Sequence, residues 1–99
     1  MGAIALASLF VPIAHEVYPT APVILYGSYA KGYATHESDI DVAVVVDNQT
    51  EDPWKRACEL SKLVDSASEI DPRIEPVVVS PNDESGFFAN ILSTGIRVA

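Results

Sequence analysis

Two aspartates two positions apart, Asp39 and Asp41, open a β-branched run, and a Gly-Ser step, Gly27-Ser28, lies upstream. Eleven positions separate Ser28 from Asp39. On a strand, side chains at i and i+2 share a face, so the spacing predicts that Asp39 and Asp41 project together. Ile40 and Val42 then turn the other way, into a core. Two adjacent carboxylates repel unless a cation lies between them, and hard oxygen donors suit magnesium. The Gly-Ser step is the complementary feature. Gly27 lets backbone approach a ligand closely, and Ser28 offers both an amide and a hydroxyl. If Ser28 opens a short helix through Tyr29 and Ala30, its first amides form an anion site. Lys31 adds a point charge for phosphate. An anion cradle facing a carboxylate pair is the layout of nucleoside triphosphate chemistry, in which metal ions bridge phosphate oxygens.

The residues GSYAKG (27–32) followed by SDIDVAVVV (38–46) resemble the signature of nucleotidyltransferases related to DNA polymerase β. More narrowly they resemble the small, minimal nucleotidyltransferases of prokaryotes. Gly27, Ser28, Gly32, Ser38, Asp39 and Asp41 match that pattern, while Lys31 stands where the family often has arginine, keeping the charge but losing the bidentate fork. The resemblance implies a polymerase β-like fold, an α/β (α+β) domain with a small mixed β-sheet and helices packed against it. It implies ATP or another NTP held by Gly27, Ser28, Lys31 and Ser38, with Mg2+ (two ions) on Asp39, Asp41 and a third carboxylate. Glu75, in the apolar run from Ile74 to Val79, is the candidate for that third acid, as metal ligand or as base for the attacking hydroxyl. Pro76 beside it points to a sheet edge or strand end. Asp71, before Pro72, is the competing assignment.

The resemblance also implies the acceptor class: a partner protein's tyrosine, a small molecule or an RNA end. Similar minimal nucleotidyltransferases are the antitoxin half of toxin–antitoxin pairs with a helical HEPN-type nuclease, some by modifying it, others by docking alone. The 99 residues read as having no helical second domain for an acceptor, so a separate partner is expected in that role. Trp54, Phe87 and Phe88 are candidate contact residues for such a partner or for a homo-oligomer.

Composition bounds these readings. Ninety-nine residues suit one domain (1–99) with a single core. The hydrophobic share of 48% and the mean hydropathy of +0.20 mark a globular chain. Fourteen acids against six Lys and Arg leave a net charge of −8, which argues against gripping nucleic acid through its phosphates. The lone cysteine, Cys58, excludes an internal disulfide and a cysteine-based zinc cluster. It reads as a small buried apolar residue in a cytoplasmic protein. The apolar start, MGAIALASLFVPIA, lacks the Lys or Arg of a secretory signal and falls short of the ~20 apolar residues that span a bilayer.

The elements that must position these groups follow from periodicity. Leu6, Phe10, Ile13 and Val17 share one helical face, with Pro12 expected to kink or interrupt it. Strands are expected at 23–26, 40–46 and 74–79. Asp52-Pro53 reads as an N-cap with proline at the first helical position. Trp54, Ala57, Cys58, Leu60, Ser61, Val64 and Ala67 form the stripe that helix lays on the sheet, leaving Lys55, Arg56, Glu59 and Lys62 solvated. Ser80-Pro81 offers another helix start, Phe87, Phe88, Ile91 and Leu92 an apolar cluster, and Gly95 a stop. His15 and His36 read as solvated, and Tyr26 and Tyr29 as packing beside the turn.

Overall fold

Four helices alternate with four strands in a computed structural model that describes residues 2–99. The order is α1 (Ala3–Val17), β1 (Val23–Tyr26), α2 (Ser28–Lys31), β2 (Ile40–Val45), α3 (Pro53–Ile70), β3 (Ile74–Val79), α4 (Phe87–Thr94) and β4 (Ile96–Arg97). The strands form one mixed sheet in the order β3-β2-β1-β4. β2 and β3 run parallel, because α3 crosses between them, whereas β1 is antiparallel to both β2 and β4. This is an α+β fold.

Alternation along each strand separates two cores. Val23, Leu25, Ile40, Val42 and Val44 pack under α1 and α3, against Leu6, Phe10, Ala14, Leu63 and Ala67. Ile24, Ala43 and Val79 point to the opposite face, where Ile91 of α4 covers them. Asp41, two residues before Ala43, therefore lies on the α4 side of the sheet. Gly95 lets α4 and β1 approach, since a Cβ there would meet Ile24 Cγ2 at 2.5 Å and Ile91 O at 2.6 Å.

Several expectations change in three dimensions. α1 runs unbroken through Pro12, which sits on its exposed side, so the Ser8 carbonyl left without an amide faces water. α3 starts as expected, with Asp52 Oδ1 accepting from the Trp54 amide at 3.0 Å and the Lys55 amide at 3.4 Å. Of the expected stripe Ala67 is buried, but its buried partner is Leu63, and Trp54, Ala57, Cys58, Leu60, Ser61 and Val64 are exposed. Cys58 is thus a surface thiol. Glu59 turns inward instead and accepts from Tyr18 Oη at 2.7 Å, tying α3 to the end of α1.

Ser80-Pro81 forms a turn and opens no helix. α4 begins seven residues after Ser80, at Phe87, where Asp83 Oδ2 accepts from the Phe88 amide at 3.2 Å and Ser85 Oγ from the Phe87 amide at 3.3 Å. Of its apolar cluster Ile91 is buried and Phe88 half-buried, while Phe87 and Leu92 stay exposed. β2 stops at Val45, one residue early, and Asp39 stands just ahead of it. β4 is too short to read from sequence and exists by pairing with Ile24 and Leu25. His15 is half-buried, its Nε2 2.9 Å from the Ala21 carbonyl.

Candidate active site

Gly27 sits between β1 and α2 at φ +74° and ψ −150°, a region that only glycine occupies readily. A Cβ at this position would collide with Asp41 Oδ2. The bare α-carbon is what allows the Asp41 carboxylate to lie against the turn. α2 is a single turn, closed by the Lys31 amide on the Gly27 carbonyl at 3.1 Å and the Gly32 amide on the Ser28 carbonyl at 3.0 Å. The amides of Ser28, Tyr29 and Ala30 donate to no acceptor among the described residues, as expected of a first helical turn. Lys31 is exposed at its end.

The strand register assembles the acids. Asp41 is paired with Tyr26 on β1 and with Glu75 on β3, so the three side chains share one level of the sheet. Neighbouring strands lie about 4.8 Å apart, which makes Asp41 and Glu75 direct neighbours. Burial raises the Asp41 carboxyl above the ordinary aspartate range, with the charges of Asp39 and then Glu75 adding to it. Tyr26 is pushed up to about 12, first by burial and then by Asp41 and Glu75. Its ring meets Phe87 edge-on, with centroids 5.7 Å apart. Asp39 and Glu75 are exposed, and Asp41 is half-buried.

Arg73 is the organising residue that sequence reasoning missed. Its Nη1 donates to the His36 carbonyl at 3.0 Å and to Tyr29 Oη at 3.1 Å, and its own carbonyl accepts from the Ile40 amide at 2.7 Å. One side chain thereby ties α2, the 33–39 loop and the start of β3 together. The loop is closed further by Tyr29 Oη donating to the Thr35 carbonyl at 2.9 Å. Ser38 Oγ accepts from the Thr35 amide at 2.9 Å, so Ser38 is engaged in holding the loop that carries Asp39. The available signal was that Arg73 is the sole base between Lys62 and Arg97, two residues from Glu75.

Asp71, the competing third acid, is taken up by Arg73. Oδ1 accepts from Arg73 Nε at 3.0 Å and Oδ2 from Nη2 at 2.9 Å. These hydrogen bonds hold its carboxyl down at about 2. The sign follows directly: this stabilisation is fully present above the ordinary aspartate range and is lost as pH falls toward 2. Asp71→Asn should therefore lower the melting temperature above about pH 5, with the gap to the parent closing by about pH 2. Added salt should shrink the gap, because the pair is solvent-accessible. A gap that persists unchanged at about pH 2 would show that the ion pair is not its source.

Among the described residues, no group of three or more His, Cys, Asp and Glu side chains stands close enough together to hold a metal ion. Asp39 and Glu75 are exposed, whereas the Asp41 carboxylate lies against the turn. The donor chemistry nevertheless fits a hard divalent cation: three carboxylates, no competing sulfur or imidazole, and mutual repulsion at Asp41 that a cation would relieve.

The profile of the family described as "Polymerase beta, Nucleotidyltransferase" matches residues 14–99. The chain belongs to this family. No curated protein matches the sequence. The match covers every strand, the Gly27 turn and all three acids of this nucleotidyltransferase domain, leaving out residues 1–13, which hold most of α1. Nucleotidyl transfer is the chemistry the family carries. Among the described residues no helix is long and apolar enough to cross a membrane.

Proposed function

We propose that this chain is a magnesium-dependent nucleotidyltransferase that moves a nucleoside monophosphate, AMP from ATP in the first instance, onto a hydroxyl acceptor. The observation that carries the proposal is the register pairing Asp41 with Glu75 beside the Gly27 turn. Asp39, Asp41 and Glu75 are the residues proposed to hold the metal, two ions by the family's chemistry. When bound, Mg2+ would offset phosphate charge and the charge developing on the leaving oxygen. The triphosphate is assigned to the free amides of Ser28, Tyr29 and Ala30, with Gly27 giving clearance and Lys31 supplying positive charge. Ser38 serves by keeping the loop closed behind Asp39.

In the reaction, an acceptor oxygen attacks the α-phosphorus, the bond to the bridging oxygen breaks, and pyrophosphate leaves. Glu75 is assigned the proton of the attacking hydroxyl. The protein otherwise contributes position and fixed charge. A net charge of −8 disfavours RNA as acceptor and favours a hydroxyl on a partner protein. A helical HEPN-type partner in a toxin–antitoxin pair is the proposed case.

The test is incubation with α-labelled nucleoside triphosphates and magnesium, alone and with the neighbouring gene product. Label should appear on the acceptor, with ATP preferred, and chelation of the metal should stop it. Transfer that continues in excess chelator, or no transfer with any triphosphate, would overturn the proposal.

A further inference from the structure

The proposed reaction uses the acids and the phosphate-binding turn but leaves one feature beside them unassigned. Phe87, the first residue of α4, is 42% exposed, yet its position is fixed. Ser85 Oγ accepts from its amide and is held in turn by Asp83 Oδ2 at 2.7 Å. Phe88, next in the chain, packs against the core that Ile91 covers. The Phe87 ring meets Tyr26 edge-on, and Tyr26 packs against that same core. The aromatic pair therefore lies on the α4 face of the sheet, the face that carries Asp41.

The register fixes what the pair borders. Tyr26, Asp41 and Glu75 are level on β1, β2 and β3, so Tyr26 and Glu75 flank Asp41 from opposite sides. Directly opposed residues on neighbouring strands have Cβ atoms about 5 Å apart, within reach of an aromatic side chain. Burial, and then the charges of Asp41 and Glu75, keep the Tyr26 phenol protonated, so the pair brings no charge to the site. In-line displacement then sorts the ligand groups. The acceptor comes from the side of Glu75, which is assigned its proton, and pyrophosphate leaves along the Gly27 turn. The nucleoside oxygen stays equatorial at phosphorus, so the base leaves that axis to one side. Tyr26 and Phe87 stand off the axis, across Asp41 from Glu75, which separates them from the acceptor.

We infer that Phe87, backed by Tyr26, is the platform on which the nucleobase of the donor triphosphate stacks. The inference rests on the nucleotidyl-transfer reading and adds to it the residue that holds the base. Stacking requires only a π-face, so it favours the larger purines over pyrimidines without separating adenine from guanine.

Calorimetry of the full chain with magnesium and α,β-methylene ATP tests it, with tripolyphosphate as the probe that lacks a base. Both should bind the parent. Phe87→Ala should weaken the ATP analogue about five- to 150-fold and leave tripolyphosphate unchanged. Phe87→Leu keeps an apolar contact with Tyr26 and should show the same selective loss with unchanged circular dichroism, whereas Phe87→Trp should retain affinity. The uridine analogue should bind the parent less tightly and lose less on replacement of Phe87. In transfer assays, Phe87→Leu should raise KM for ATP by more than it lowers kcat. A parent that binds neither probe would overturn the nucleotidyl-transfer reading and this inference with it. Where the parent binds both, a Phe87→Leu variant that weakens both probes equally, or neither, would overturn this inference alone. So would a loss confined to KM for the acceptor.

Discussion

Replacing Asp39 and Asp41 together by asparagine should lower nucleotidyl transfer by at least 10²–10³-fold, on the order seen when a preorganised electrostatic group is removed. The reason is that the two carboxylates carry most of the charge proposed to hold the metal, and asparagine keeps their shape without it. Stability should move the other way. Asp41 is raised by burial and by the charges of Asp39 and Glu75, so neutralising the pair relieves repulsion in the metal-free protein. Melting temperature without magnesium should hold or rise, and the stabilisation that magnesium gives the parent should vanish in the variant. Transfer that survives the double replacement would sink the proposed mechanism. Inhibition of a partner protein that survives it, with transfer lost, would favour docking alone as the biological role.

Gly27→Ala is expected to damage both fold and site. The backbone there is at φ +74°, ψ −150°, which costs a non-glycine residue about 1–3 kcal/mol. The added methyl also runs into the Asp41 carboxylate. Either the turn or Asp41 must shift, and a displacement of about 1 Å at a reacting group costs on the order of 10² in rate. A double-mutant cycle with Asp41→Ala separates the two causes. If the collision matters, Gly27→Ala should destabilise the Asp41→Ala background less than it destabilises the parent. Additive losses would assign the whole effect to backbone strain.

The parts of the fold that were legible in the sequence are those set by neighbours along the chain. β1 and β3 match the apolar runs residue for residue, because turn-forming residues bound each of them. Asp52-Pro53 announces the start of α3, since a cap acts over three residues. The chemistry-bearing motif was equally local: the Gly-Ser step and the Asp-x-Asp spacing are properties of one short stretch.

What sequence could not decide depended on contacts between distant segments. Periodicity predicts that α3 has an apolar stripe and Ala67 lies on it, but a rotation of the helix brings Leu63 inward in place of Leu60 and Val64. Only the shape of α1 and the sheet beneath selects between them. The helix start before α4 moved from Ser80 to Gly86 because Asp83, not Ser80, reaches the free amides. Asp71 and Glu75 were rival acids until Arg73 engaged the first and the parallel pairing of β2 with β3 set the second beside Asp41. The residue types, their spacing and the family they resemble were thus written in the chain itself. Which acids meet, which helix face stays bare and why residue 27 tolerates no side chain were decided by the folded arrangement, because repulsion, burial and steric collision act through space and not along the backbone.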